Sequence, residues 1–192
     1  SEDKSMGHSL IKYEPAQKIQ REFITYANTN LELLQSVLRT SKYSGEREIA
    51  ATVIAYHSNK NYIINDLLDA LTDPEAGVRN NAIRAVGIIA DYALKKPELN
   101  ITISAKPFIE LMNSISWSDR NKSSLVLLTL TQKRNPEIIK ELKTKTLKSI
   151  TDMAAWKNFG HSMPGYILLG RIVGWTDEVI MSGINNERTA QI

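Results

Sequence analysis

Residues 67 to 94, LLDALTDPEAGVRNNAIRAVGIIADYAL, constrain the fold of this chain more than any other stretch. A first helix closes on Leu67, Leu68 and Leu71, and Thr72-Asp73-Pro74 turns the backbone. Asp73 has the short acceptor side chain that satisfies free N–H groups at a helix start, and Pro74 suits a first helical position because no N–H is needed there. The second helix carries Val78, Ala82, Ala85, Val86 and Ile89 at three-and-four spacing, which makes one face to be buried. Two helices folded back in this way complete their core by packing on neighbours of the same kind.

The neighbours are visible as an internal repeat. Aligning second helices on a small residue superimposes Ala50, Ala82, Ser123 and Gly165, at intervals of 32, 41 and 42 residues. Three positions earlier stand Arg47, Arg79 and Arg120, and the fourth copy has Ser162 instead. Five positions later fall Ala55, Gly87, Leu128 and Gly170. Small side chains at such places let helices approach closely. Agreement at three registers in three or four copies predicts an α-solenoid of about four hairpins.

This pattern resembles the HEAT repeat, closely in the second copy, fairly in the first and third and loosely in the fourth, over residues 31–184. The resemblance implies an all-α, right-handed superhelix of the armadillo/HEAT kind, with second helices lining a concave face. It also implies a ladder of turn aspartates and second-helix arginines between neighbouring repeats. Here those residues would be Asp73 and Asp119 with Arg79 and Arg120, although Asp119 directly precedes its arginine and departs from the usual spacing.

The rest of the chain fits one repeat domain over 15–184, with a polar tail at 1–14 and a frayed tail at 185–192. A helix from Pro15 to about Asn28 shows Ile19, Phe23 and Tyr26 on one side. A second carries Leu33, Leu34, Val37 and Leu38, and residues 46–58 supply a third with Ile49, Val53 and Ile54. Residues 97–104 form a longer connection, because Pro97 and β-branched Ile101, Thr102 and Ile103 disfavour helix. Trp117-Ser118-Asp119 makes a turn, Asn135-Pro136 opens a long helix to Ile150, and residues 166–175 form a strongly apolar one. No segment reads as a strand.

Composition narrows the function classes. The chain has 192 residues, a net charge of +3 and no cysteine, which removes thiolate chemistry and disulfides. No apolar run reaches the about 18–20 residues of a membrane span. The first residue is serine rather than methionine, as in a fragment or a processed product. A cytoplasmic location is the preferred expectation, with export the alternative if a signal peptide was removed. There is no P-loop, GxSxG or HExxH, and the three histidines have no metal-like spacing, so neither enzyme nor cofactor is expected.

The most unusual chemistry is WSDRNK at 117–122. Trp117 could stack on a ligand and Arg120 could grip a peptide or a phosphate, with Asn121 and Lys122 alongside. The plainer account has Asp119 capping a helix, Arg120 in the ladder and Trp117 filling a core gap. Arg79 and Asn80 are candidates on the second helix of the opening hairpin. Trp156 and His161 in WKNFGHS are further candidates, against a solvated or capping histidine. The lysines at 140, 143, 145 and 148 alternate with Glu137 and Glu141, as on a solvated face. The leading expectation is a non-enzymatic scaffold that binds a protein or peptide. The alternative is nucleic-acid binding through a basic concave groove, as in HEAT-like DNA alkylation-repair proteins.

Overall fold

The computed structural model describes residues 2–190, with side chains through residue 185. The chain divides into two compact units, Ser1–Pro107 and Phe108–Ile192.

The first unit begins with two short antiparallel strands, β1 (Glu2–Asp3) and β2 (Leu10–Ile11), paired Glu2 with Ile11 and Asp3 with Leu10. The strand-free expectation is therefore corrected, and residues 2–11 are a docked hairpin where a polar tail is expected. The docking is specific. The Ile11 N–H donates to Gln20 Oε1 at 2.7 Å, Tyr56 Oη donates to the Ser9 carbonyl at 2.8 Å, and Arg84 pairs with Glu2. Gly7 turns the hairpin with φ +70°, and a Cβ there would lie 2.8 Å from both Lys60 Cε and Tyr92 Cδ1. Only glycine meets both conditions without strain.

Helices α1 (Glu14–Thr29), α2 (Leu31–Thr40), α3 (Ser44–Ile54), α4 (Ile64–Asp69) and α5 (Ala76–Lys95) follow. The α3 helix packs on α2 and α5, and α4 packs on α5. All five expected α5 positions, Val78, Ala82, Ala85, Val86 and Ile89, are buried, as are Ala50, Ile54, Leu67 and Leu71. Full burial of an aliphatic side chain contributes about 1.5–3 kcal/mol, so this face is a substantial part of the unit's core. By contrast Ile19, Tyr26, Leu33 and Ile49 are exposed. Helical spacing marks a stripe, but only the neighbour's position shows which edge of the stripe is covered.

The α5 helix starts two residues later than Pro74 suggests. Asp73 Oδ1 accepts the Glu75 N–H at 2.9 Å, and the helix begins at Ala76. This bond recurs at the repeat interval. Ser41 Oγ accepts the Tyr43 N–H at 3.1 Å, and Ser114 Oγ accepts the Ser116 N–H at 3.1 Å. Residues 41, 73 and 114 each precede the repeat arginine by six. The third turn residue is thus Ser114, and Trp117-Ser118-Asp119, expected as a turn, is the start of a helix.

The second unit contains α7 (Trp117–Leu130), α8 (Pro136–Lys145), α9 (Leu147–Ala154), α10 (Phe159–Ile172) and α11 (Asp177–Ala190). The short α6 (Lys106–Leu111) bridges the division of the chain. The expected long helix from Pro136 breaks at Thr146. This residue is 1% exposed, and its hydroxyl returns to the Leu142 carbonyl at 2.8 Å. Such back-bonding competes with regular helix. The α10 helix packs closely on α9 because Gly165 faces Ala154 and Ile150 backbone. All four aligned small residues, Ala50, Ala82, Ser123 and Gly165, are buried. The last helix runs to Ala190, past the expected start of the tail at 185, and residues 191 and 192 lie outside the described residues.

Candidate functional site

Six of the expected site residues, Trp117, Arg120, Asn121, Lys122, Trp156 and His161, lie on two segments of the second unit that the fold brings together. The first segment is the start of α7. Ser114 Oγ donates to Asp119 Oδ2 at 2.8 Å while accepting from Ser116, which fixes how the helix begins. Trp117, Arg120, Asn121 and Lys122 then occupy its first turns. The second segment runs from the end of α9 into α10. The Trp156 N–H bonds the Met153 carbonyl at 3.1 Å, and Asn158 Oδ1 accepts the His161 N–H at 3.2 Å. These bonds seat Trp156 before the turn and His161 in the first turn of α10.

The two segments meet through aromatic rings. Trp117 and His161 make an edge contact, with centroids 4.8 Å apart and planes at 69°. The Arg120 guanidinium carbon lies 5.2 Å from the Trp156 ring centroid, a cation–π distance. Arg120 Nε is buried without a hydrogen-bond partner. Trp117 is 45% exposed, so it does not plug a core gap.

Behind Trp156 is a cavity of about 300 Å³ whose wall includes Lys157, Phe159, Ser162, Met163 and Tyr166. Phe159 and Tyr166 escape the sequence reading, because at helical spacing they look like ordinary core. Asn121 gives its backbone carbonyl to Ser124 Oγ at 2.7 Å, and its side chain is half-buried, like that of Lys122.

Arg79 and Asn80 belong to the first unit. Arg79 Nη1 donates to the Asp73 and Pro74 carbonyls at 2.7 and 2.9 Å, and Asn80 Nδ2 donates to Asn81 Oδ1 at 3.3 Å. Within this unit the turn aspartate is bound by Arg47 of the preceding hairpin, a rung between neighbouring hairpins of the kind the resemblance implies, supplied by the first arginine of the register series. Arg47 Nε and Nη2 lie 2.6 and 3.0 Å from the two Asp73 carboxylate oxygens. Arg47 bonds hold the Asp73 carboxyl below its ordinary range. Arg47 Nη1 also takes the Ser41 carbonyl at 2.8 Å, as Arg79 takes that of Asp73.

The sequence reading also misses a buried cluster in the first unit. His8 and Lys60 are 6% and 2% exposed, and Lys60 Nζ donates to the Ala55 and His57 carbonyls at 2.8 and 2.7 Å. Burial pushes Lys60 down to about 7, and burial with the nearby Lys60 charge pushes His8 down to about 4. Among the described residues no group of three or more His, Asp or Glu could hold a metal ion. Nor is any helix there long and apolar enough to cross a membrane.

No protein-family model matches the chain, and no curated protein matches it. Solved structures do. Computationally designed armadillo repeat proteins for modular peptide recognition superimpose with a TM-score of 0.57 at 15% identity, over 91% of this chain and 82% of theirs. A second engineered protein superimposes with a TM-score of 0.55 at 16% identity, over 91% and 81%. At such identity the likeness shows the fold alone, an all-α helical-repeat solenoid of the armadillo/HEAT kind.

Proposed function

We propose that this chain is a non-enzymatic scaffold of helical repeats over residues 15–184 that binds an extended protein or peptide segment. The observation that carries the reading is the ring-and-guanidinium cluster of Trp117, Arg120, Trp156 and His161 on a repeat fold. Designed proteins of similar fold were built for modular peptide recognition, and an armadillo-like fold is suited to gripping peptides in general. In this role Trp117 stacks on an apolar or planar side chain of the segment, and Arg120, steadied by Trp156, takes an acidic group. Asn121 and Lys122 add polar contacts at the rim. Arg79 and Asn80 are separate candidates on the first unit. A cytoplasmic setting is part of this proposal, with an exported one the alternative.

The test is selection of a displayed random-peptide library on the immobilised chain, followed by fluorescence anisotropy with the enriched peptide. Arg120→Ala or Trp156→Ala should weaken binding about tenfold or more, as for a central contact. Lys140→Ala on the solvated face of α8 should leave it unchanged. Failure to enrich any sequence, or binding indifferent to Arg120 and Trp156, overturns the reading. Duplex DNA binding that falls steeply with added salt would replace it with the nucleic-acid alternative.

A further inference from the structure

The repeat register changes character at its fourth copy. Ser41, Asp73 and Ser114 stand six positions before Arg47, Arg79 and Arg120, and the fourth copy has Trp156 and Ser162 in those two places. In the first two copies the arginine folds back on its own turn. Arg47 Nη1 donates to the Ser41 carbonyl at 2.8 Å, and Arg79 Nη1 to the Asp73 carbonyl at 2.7 Å. Ser162 is too short for this, and its hydroxyl donates to the Phe159 carbonyl at 3.2 Å. Both Trp156 and Ser162 line the cavity of about 300 Å³, which by register lies where the earlier copies place a guanidinium. The wall residues Trp156, Phe159, Ser162, Met163 and Tyr166 are only half-buried, so the cavity opens to solvent.

The same change removes a carboxylate. Arg47 reaches forward to the next turn and finds the Asp73 carboxylate. Arg120 also reaches forward to the next turn, but Trp156 stands there, its ring centroid 5.2 Å from the guanidinium carbon. Among the described residues the ion pairs of this unit are Arg134–Asp177, Lys145–Glu141 and Lys148–Asp152, and none involves Arg120, Lys122 or Lys157. Of the Arg120 nitrogens only Nε is sealed from solvent without a partner, which leaves the terminal Nη groups accessible. No carboxylate lines the cavity, whereas Lys157 does. Three rings around one space would suit a quaternary ammonium, but Arg120 and Lys157 beside them repel a further cation. The charge and the surface together complement an acid joined to an apolar group.

We propose, resting on the peptide-binding reading, that the bound segment itself completes this last rung. Its Asp or Glu takes the place that Asp73 fills for Arg47 and accepts from the Nη groups of Arg120. A large apolar side chain one or two residues away fills the cavity beside Ser162. Trp156 borders both subsites, and an extended segment advances about 3.4 Å per residue, which sets that short spacing.

The test is random-peptide selection on the full chain, then anisotropy of the enriched peptide with the unaltered chain, Ser162→Arg and Ser162→Leu. Enriched sequences should share an acidic residue one or two positions from Phe, Leu, Ile or Met. Ser162→Arg restores the residue of the other copies and Ser162→Leu fills the space without charge, so one serves if the other does not fold. Each should weaken binding about tenfold or more. Alanine at the peptide's apolar position should cost the unaltered chain as much and the Ser162 variants little further. Failure to enrich any peptide overturns the scaffold reading and this inference with it. Three results overturn this inference alone: enrichment without the acid–apolar pair, tighter binding of a peptide with trimethyl-lysine at the apolar position, or undiminished binding by either folded Ser162 variant.

Discussion

The guanidinium of Arg47 closes a two-point bond on the carboxylate of Asp73, with Nε and Nη2 at 2.6 and 3.0 Å from its two oxygens. The pair ties the second helix of one hairpin to the turn of the next. Both side chains are about nine-tenths buried, at 12% and 9% exposure. Removing one end leaves the other charge poorly solvated. Asp73→Ala should therefore destabilise the first unit by about 2 kcal/mol, and Asp73→Asn should recover part of this through the Glu75 N–H bond. Urea unfolding followed by circular dichroism checks both. An unchanged midpoint for Asp73→Ala would show that the pair is decorative.

Close helix approach in the second unit makes a sharper prediction. A Cβ on Gly165 would lie 2.8 Å from the Ala154 backbone nitrogen and 3.1 Å from the Ile150 carbonyl oxygen. Backbone cannot swing aside as a side-chain tip can, so Gly165→Ala should destabilise by about 1–3 kcal/mol. Gly45 in the first turn of α3 has nothing within 4 Å of its would-be Cβ. Gly45→Ala should be neutral or stabilising by up to about 1 kcal/mol. Thermal unfolding of the two variants, side by side, separates packing from helix propensity.

These two positions also show what was legible in the sequence. Gly165 aligned with Ala50, Ala82 and Ser123 by register alone, and all four are buried. The Trp117, Arg120, Trp156 and His161 cluster was legible as two unusual stretches, though not as neighbours, because no sequence spacing predicts a contact between residues some forty positions apart. The register series also contains Arg47, which supplies the rung to Asp73, but spacing alone does not say which arginine meets which turn; Arg79 Nη1 donates to the Asp73 carbonyl. The hairpin at 2–11 went unseen because its strands are two residues each and its burial comes from Gly7, His8, Ser9 and Leu10, a mostly polar set.

Buried His8 and Lys60 make stability depend on pH in two windows. His8 keeps its neutral form down to about 4 in the fold, against 6.5 unfolded. Between these values the unfolded chain binds the extra proton, so stability falls as pH drops from 6.5 towards 4, by about 2 kcal/mol after solvent screening. Lys60 falls to about 7 from 10.5, so its contribution rises as pH climbs from 7 towards 10.5. His8→Gln should flatten the acid limb and Lys60→Met the alkaline one. Denaturation midpoints across pH for the two variants check this, and unaltered limbs would contradict it.

The guanidinium of Arg120 beside the Trp156 ring predicts that charge alone will not serve. Arg120→Lys preserves the positive charge but loses the planar edge and the face that covers Trp156. Binding of a selected acidic peptide should fall about tenfold in this variant and little further in Arg120→Ala. Equal binding by Arg120→Lys and the unaltered chain would reduce Arg120 to a point charge.

The most direct measurement is the NMR footprint of a selected peptide on the isotopically labelled chain. A scaffold that grips through rings and a guanidinium should show its largest perturbations at the indole N–H groups of Trp117 and Trp156 and at the backbone of 120–122 and 161. A footprint confined to the lysine-bearing face of α8, or spread evenly with no maximum at Trp117 and Trp156, would contradict the account.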